Sequence, residues 1–258
     1  MIPKKIHYCW FGRNPLPKSA KKCIASWKKY FPDYEIIEWN EDNYDVGKIP
    51  YLAQAYSAKK YAYVSDYARY DILYHEGGIY FDTDVEVICS FEDILDKGAF
   101  LGCEIDGKYS VYESDKLQNL DNKDYSFFKI RVAPGLGMAT EPGNSLYLEF
   151  LQMYKEVNFI KPDGSFNTVA VVRNTTTLLT KYGLKDVNGI QKIGGINIYP
   201  SEYFNPLDST TGLINKTDQT HSIHWYMLSW MSPSQRLRVT LAKKIRKVLK
   251  LSAKIKFT

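Results

Sequence analysis

Apolar and polar positions along the first ninety or so residues follow two different periods. Short apolar runs typical of buried strands occur at residues 6–11, 34–39, 79–81 and 85–88. Between them, residues 18–30 and 57–75 repeat small and apolar positions with the spacing of a helix. Strands that alternate with helices in this way predict α/β units, in which helices pack on a mostly parallel sheet.

The second half of the chain is less regular. Residues 102–129 are polar and spotted with aromatic residues, and they predict loop and irregular structure. Helical patterns return at residues 144–157 and 167–182, and residues 196–199 read as a short strand. No linker divides the chain before residue 231, so we expect one domain over residues 1–235 and a separate tail over 236–258.

Two carboxylates, Asp82 and Asp84, stand at the end of the apolar run that follows Gly77-Gly78. Buried carboxylates are costly unless a cation or hydrogen-bond donors meet them. At a strand end both can reach one hard cation, and oxygen ligands favour Mg²⁺ or Mn²⁺. Such an ion commonly neutralises the charge of a diphosphate leaving group. The spacing therefore predicts a metal and diphosphate site.

Three other positions each allow two interpretations. Asp66 and Arg69 lie one helical turn apart, either as a surface ion pair or as an inward pair that binds sugar hydroxyls. Trp10, at the end of the first strand, either stacks on a nucleobase or belongs to the core. His224 is either a third metal ligand or a structural histidine, and His7 and His221 fit the structural role better.

Charge separates the tail from the rest of the chain. Nine of the lysines and arginines lie in residues 236–258, which contain no Asp or Glu, so a formal net charge of +5 becomes −4 without them. The mildly acidic body argues against a nucleic-acid partner. The tail alternates an apolar arc with basic residues at helical spacing, which favours an interfacial helix on anionic lipid over a helix docked on the body.

The four cysteines show neither a C-x-x-C pair nor zinc spacing, and they read as buried thiols in a reducing compartment. No signal peptide and no apolar run of membrane-spanning length is visible. We therefore expect a cytoplasmic protein, peripheral on the inner face of the cell membrane.

Several motifs in order resemble the bacterial family-32 glycosyltransferases, which carry a D-x-D sugar-binding region and occur in capsule and exopolysaccharide clusters. The resemblance covers roughly residues 2–232. The motifs are Ile2–Gly12, Ser26-Trp27, Pro32–Glu35, Trp39-Asn40, the whole Ser65–Asp84 block, Ile223-His224 and Ser229-Trp230. The spacing from Asp66 to Asp84 also resembles that of the large clostridial glucosylating toxins. One departure is that Trp225 stands where the family usually has a second histidine.

The resemblance implies a GT-A fold: one Rossmann-like α/β domain with a mixed, mostly parallel sheet that binds a nucleotide sugar, with UDP as the favoured nucleotide. It also implies Mn²⁺ or Mg²⁺ as cofactor and transfer with retention of anomeric configuration. The acceptor would be a growing, lipid-linked cell-surface polysaccharide or oligosaccharide.

The resemblance further assigns roles to individual residues. Asp84, Asp82 and His224 would hold the metal, and Asp66 and Arg69 would bind the donor sugar. The remaining donor-binding positions would be Trp10, Asn40, Ser65 and Tyr80, with Ser229 and Trp230 closing over the diphosphate.

Two other functional classes remain open on the residues alone. A non-catalytic sugar-nucleotide-binding subunit of a polysaccharide synthesis complex would not require a cation on a leaving group. A metal-dependent phosphohydrolase would want more carboxylate or histidine ligands than the sequence offers. The donor sugar, the acceptor, the linkage and the oligomeric state are not encoded in any motif of the chain.

Overall fold

A computed structural model describes residues 1–106, 130–209, 211–227, 234 and 237–246. Its strands are β1 (Lys5–Cys9), β2 (Glu35–Trp39), β3 (Gly78–Tyr80), β4 (Val85–Val87), β5 (Phe100–Ile105), β6 (Arg131–Val132), β7 (Met138–Thr140), β8 (Gln191–Ile193), β9 (Ile196–Tyr199) and β10 (Ser222–His224). Its helices are α1 (Lys18–Tyr30), α2 (Pro50–Ser57), α3 (Tyr61–Glu76), α4 (Glu92–Leu95), α5 (Ser145–Gln152), α6 (Val171–Lys181) and α7 (Ser201–Phe204), with a 3₁₀ turn at Pro134–Leu136.

Eight strands form one mixed sheet in the order β2-β1-β3-β7-β5-β9-β8, with β6 paired to β5. The pairings make β1, β2, β3, β5 and β9 run in one direction, while β6, β7 and β8 run in the other. Strands β4 and β10 form a separate antiparallel pair. The predicted α/β class with a mixed, mostly parallel sheet is therefore confirmed.

Apolar cores lie on both faces of the sheet. One contains buried side chains of α2, α3, α5 and α6, and the other contains those of α1 with an aromatic group around Phe91 and Phe204. Helix α1 buries the predicted face, Ala20, Cys23, Ile24 and Trp27. This layering leaves the carboxyl ends of β1, β2 and β3 next to one another, which is where ligands bind in open α/β sheets.

The double glycine that precedes the acidic pair has a steric reason. Gly77 ends α3 at φ +63°, and Gly78 opens β3 at φ +93°, a region that residues with a side chain rarely adopt. A Cβ at Gly78 would also approach the Lys5 carbonyl oxygen to 2.7 Å. The glycines therefore allow the chain to reverse from α3 directly into the central strand.

Several predicted elements differ in extent. The helix predicted over 57–75 begins at Tyr61, because Lys59 adopts φ +57° and separates it from the unpredicted helix α2. Residues 102–105, predicted as irregular, complete β5, where Cys103 faces the core; residues 107–129 of that prediction lie outside the described residues. The predicted helices 144–157 and 167–182 are shorter, ending at Gln152 and beginning at Val171. Nothing in the structure tests the domain boundary at residue 235.

Candidate active site

The acidic pair lies between β3 and β4, and a third candidate ligand reaches it from the end of the chain. Strand β10 pairs with β4 so that His224 is opposite Val85, one residue from Asp84. His224 Nε2 lies 3.0 Å from Asp84 Oδ1. One ligand atom from each of Asp82, Asp84 and His224 lies within 4.8 Å of the other two. Strand pairing thus brings together residues some 140 positions apart in sequence.

The pKa values of these three residues are shifted in different directions. Burial by itself would raise the pKa of Asp84, but His224 and the backbone N–H of Met227, which donates to Oδ2 at 2.9 Å, lower it to about 2. Burial lowers the pKa of His224, yet the neighbouring Asp84 carboxylate outweighs burial and the net shift is upward. Burial raises the pKa of Asp82 despite the nearby Arg69.

These three residues fit a divalent cation. Two carboxylates and an imidazole are the donor types that Mn²⁺ accepts, and Mg²⁺ accepts the carboxylates with added water or phosphate oxygens. Ligands of one small cation lie within roughly 4 Å of one another, close to the spacing found here. The Met227 N–H holds one Asp84 oxygen and leaves the other facing His224. Among the described residues, His224 Nδ1 is buried without a hydrogen-bond partner.

Arg69 connects the acidic pair to the helix. Its guanidinium Nη2 lies 3.0 Å from Asp66 Oδ1 and 3.2 Å from Asp82 Oδ1, and its Nε donates to the Ser65 carbonyl. The guanidinium also lies 5.0 Å from the centroid of the Tyr80 ring. Only 5% of the Arg69 side chain is exposed. The inward interpretation of the Asp66–Arg69 pair is therefore the one that the structure adopts.

The Asp66 carboxylate is largely buried. Burial raises its pKa to about 7, although the charge of Arg69 opposes that rise. Its side chain is 15% exposed. A carboxyl group with this pKa both accepts and donates hydrogen bonds near neutral pH, which suits recognition of hydroxyl groups.

Gly135 is a site residue that the sequence did not single out as functional. Its backbone carbonyl accepts a hydrogen bond from the Asp82 N–H at 3.3 Å. A Cβ at this position would collide with Asp82 Oδ2 and come within 3.1 Å of Arg69 Nη1. The turn-rich run from Pro134 to Met138 was visible in the sequence, but nothing in it showed which distant side chain it would meet.

Of the other predicted donor-binding residues, Trp10, Asn40 and Tyr80 lie at the ends of β1, β2 and β3, and Ser65 lies in α3. Trp10 is half-buried and its indole N–H donates to the Asn14 carbonyl. The Asn40 amide donates to Glu38 and accepts from the Asp42 N–H. Ser65 Oγ donates to a carbonyl of its own helix, and Tyr80 is buried with its hydroxyl 3.1 Å from Asp82. Ser229 and Trp230 lie outside the described residues.

Two histidines and a tryptophan have roles away from this group. His7 bridges Trp39 and the Gly77 carbonyl, and burial lowers its pKa to about 4. His221 lies between Asp93 and the Gln219 carbonyl. Trp225, at the position of the family's second histidine, donates from its indole to Glu86 at 2.8 Å.

Residues 17–101, a third of the chain, match the family described as the glycosyltransferase sugar-binding region containing the DXD motif. This part of the chain is similar to that sugar-binding region. The match agrees with the predicted enzyme class, glycosyltransferase. The matched region contains Asp66, Arg69 and the acidic pair, whereas His224 lies beyond it.

Curated relatives also match over little more than a third of the chain. Inositol phosphoceramide mannosyltransferases 1 and 3 of Schizosaccharomyces pombe are 29% identical over 111 residues and 35% identical over 92 residues. These segments cover 39% and 33% of this chain and 33% and 24% of the relatives. Subversion of eukaryotic traffic protein A of Legionella pneumophila is 28% identical over 120 residues, 36% of this chain and 18% of that protein. The chain thus spans a third or less of the length of each.

Solved structures of similar shape are also glycosyltransferases. The PaToxG glycosyltransferase is 18% identical, with 70% of this chain and 68% of that chain covered and a TM-score of 0.46. The galactosyltransferase LgtC, crystallised with donor and acceptor sugar analogues, is 14% identical, with 93% and 95% covered and a TM-score of 0.41. At these scores the similarity in shape is distant.

Proposed function

We propose that the protein is a metal-dependent, retaining glycosyltransferase that moves a sugar from a nucleotide sugar, with UDP as the favoured nucleotide, to a saccharide acceptor. The observation that carries the proposal is the meeting of Asp82, Asp84 and His224 beside the Asp66–Arg69 pair. A cation-binding group and a hydroxyl-binding group that share Arg69 suit a sugar joined to a diphosphate.

In this proposal each side chain has a defined task. Asp84, Asp82 and His224 would hold Mn²⁺ or Mg²⁺, which supplies positive charge to the diphosphate leaving group. Asp66 and Arg69 bind sugar hydroxyls through one acceptor-rich and one donor-rich group. The Tyr80 ring beside Arg69 and the Tyr226 ring beside His224 limit the access of water and strengthen these interactions.

The proposed reaction balances without a covalent intermediate on the protein. The bond between the anomeric carbon and the diphosphate oxygen breaks, and a bond from the acceptor oxygen to that carbon forms on the same face. The acceptor proton passes to the departing phosphate oxygen. The role left to the protein is to orient both substrates and to stabilise the developing charge.

The direct test is a screen of nucleotide sugars for release of free nucleotide with Mn²⁺, with Mg²⁺ and with EDTA. We expect release from one donor that depends on the added metal and increases with a saccharide acceptor. Calorimetry with the same donors separates the alternatives, because donor binding without release would support the non-catalytic binding subunit instead. Release that is equal in EDTA and in Mn²⁺ would contradict the metal site.

We extend the proposal to the place where the enzyme acts. Residues 237–246 are helical, and Leu237, Leu241 and Ile245 are 61%, 52% and 61% exposed at a spacing of four residues. An exposed apolar stripe on a helix with Arg and Lys nearby suits the interface of an anionic membrane. No helix of the described residues is long and apolar enough to cross a bilayer.

The membrane part of the proposal is that residues 236–258 hold the domain, residues 1–235, on the inner face of the cell membrane, where a lipid-linked acceptor of a capsular or exopolysaccharide would be presented. Removal of residues 236–258 should weaken sedimentation with phosphatidylglycerol vesicles but leave transfer to a soluble acceptor. Replacement of Leu241 and Ile245 by serine in the full chain should have the same effect, since it removes only the apolar stripe. Unchanged vesicle binding by both variants would contradict this role.

A further inference from the structure

Two cavities stand out among the described residues. The larger, about 360 Å³, lies beyond the end of β5 and is lined by Asp106, Ser201 and Lys216 among others, without an aromatic ring. The smaller, about 230 Å³, lies where α2, the turn after α5 and the start of α6 meet. Its walls contain tyrosine rings and asparagine amides: Tyr51, Tyr154, Asn167 and Asn174, with Met153 and Val169. We call it the tyrosine–asparagine pocket.

The walls of this pocket combine two largely buried tyrosines, 2% and 3% exposed, with polar groups. Tyr51 and Tyr154 pack edge to face with ring centroids 4.8 Å apart, and Asn174 donates to the Tyr154 hydroxyl at 3.0 Å. Neither the Tyr51 hydroxyl nor the side-chain amide of Asn167 has a hydrogen-bond partner within the described part of the chain. Aromatic rings that meet C–H faces, and free amides that meet hydroxyls, are the chemistry that binds sugars.

The pocket adjoins the candidate active site through α3. Tyr67, next to Asp66 in sequence, packs edge to face on Tyr154 at 5.7 Å between centroids. The pKa values of the Tyr51 and Tyr154 phenols are raised first by burial, and the Asp66 carboxylate raises both further. The Asp66 carboxylate therefore acts electrostatically on both tyrosines of the pocket. The same carboxylate is linked to Asp82 through Arg69.

We infer that the tyrosine–asparagine pocket is the acceptor subsite, and that it holds one sugar ring of the saccharide that receives the transferred sugar. This inference rests on the proposed function. Pockets for larger ligands typically have volumes of ~300 Å³ or more. This pocket, with a volume of about 230 Å³, suits one sugar ring and not a nucleotide. In the proposed function the nucleotide sugar binds at Arg69 and the acidic pair. The pocket beyond Asp66 is therefore available to the acceptor.

The first test measures binding without any transfer. Saturation-transfer NMR uses the methyl glycosides of glucose, galactose and mannose as probes, with nucleotide and metal absent. We expect at least one glycoside to bind, and UDP added afterwards to leave it in place. Because this readout needs no catalysis, it stands or falls separately from the proposed function.

Variants locate the bound glycoside. Asn167→Ala and Tyr51→Phe each remove one hydrogen-bonding group and should weaken glycoside binding about five- to tenfold, whereas Asn188→Ala, an exposed asparagine elsewhere, should bind like the wild type. Tyr51→Phe keeps the buried ring, so the core contact with Tyr154 is preserved. The inference is overturned if no glycoside binds, if UDP displaces it, or if both pocket variants bind normally.

A kinetic test separates acceptor from donor. In the transfer reaction, Asn167→Ala should raise KM for the acceptor about five- to tenfold, while KM for the nucleotide sugar stays within twofold. A rise in KM for the nucleotide sugar instead would assign the pocket to the donor and would overturn the inference, although the proposed function would survive. Absence of metal-dependent nucleotide release by the wild type would overturn the proposed function alone.

Discussion

The same short segment carries two histidine–aspartate pairs that have very different surroundings. His224 lies 3.0 Å from Asp84, and His221 lies 2.9 Å from Asp93. The side chain of Asp84 is 16% exposed and has the second carboxylate, Asp82, beside it, whereas Asp93 is 56% exposed. His221 uses both ring nitrogens in hydrogen bonds within the protein.

The difference shows that a histidine–aspartate contact by itself does not define a site. The His221 pair fastens a loop, since the ring stacks on Tyr203 and its nitrogens are satisfied by Asp93 and a carbonyl. At the His224 pair, two carboxylates lie close together and largely buried. Such an arrangement is stable only when a cation or a proton is present. We therefore expect a divalent ion to bind at the His224–Asp84 pair and none to bind at the His221–Asp93 pair.

The largest effect should come from the aspartates. Asp84→Asn removes the charge of a candidate ligand and should lower metal-dependent nucleotide release at least about a hundredfold. Asp93→Asn removes only a surface partner of His221 and should leave release within about twofold. Nucleotide release in Mn²⁺ measures both variants, and an Asp84→Asn enzyme with most of its metal-dependent turnover would refute the metal assignment.

The histidines should separate metal affinity from stability. His224→Ala should weaken Mn²⁺ binding about tenfold or more, because it removes one of three candidate ligands. His221→Ala should leave Mn²⁺ affinity unchanged but lower the free energy of unfolding by about 1–3 kcal/mol, since two partly buried hydrogen bonds and a stacked ring are lost. Calorimetric titration and chemical unfolding measure the two quantities. Equal Mn²⁺ affinities for the two variants would show that His224 contributes no more to metal binding than His221 does.

Gly135 tests whether the position of Asp82 matters in addition to its charge. Gly135→Ala introduces a Cβ into the space of Asp82 Oδ2 and should lower nucleotide release about tenfold by displacing the carboxylate. Gly47→Ala is a matched control, because Gly47 is exposed and also avoids positive φ. If both variants keep wild-type rates, the backbone at residue 135 does not position Asp82.

The smallest effect should be a pH dependence of stability in the metal-free protein. The pKa of Asp84 is lowered to about 2 and that of His224 is raised, so their attraction is fully present between about pH 4 and 6.5. It is lost as pH rises through the folded-state pKa of His224, and lost as pH falls towards 2. Asp84 accounts for about 2 kcal/mol of the acid-side loss.

Unfolding of wild type and His224→Gln in EDTA at pH 5.5 and pH 8.5 measures this attraction. The difference in unfolding free energy between the two proteins should be smaller at pH 8.5. Mn²⁺ affinity should change in the opposite direction and increase with pH, because the metal competes with a proton for His224. A difference in unfolding free energy that is independent of pH would show that the ring is already neutral at pH 5.5.

Local patterns in the sequence were sufficient for many elements. Helix α1 and strand β9 have the predicted bounds, and the double glycine correctly marked the reversal into β3. Elements whose ends depend on contacts elsewhere were misplaced. Helix α2 separates from α3 through the φ of Lys59, and β5 extends to Ile105 because it pairs with β6 and β9.

The sequence by itself determined the acidic pair, the Asp66–Arg69 spacing and the α/β alternation, because each depends on residues close together in the chain. Only the tertiary structure decided that Arg69 points inward to Asp82, that β10 carries His224 to Asp84, and that Gly135 lies against Asp82. It also placed Tyr51, Asn167 and Asn174 around one cavity. The physical reason is that strand register and helix packing, which bring distant residues together, are set by burial across the whole sheet and not by any local pattern.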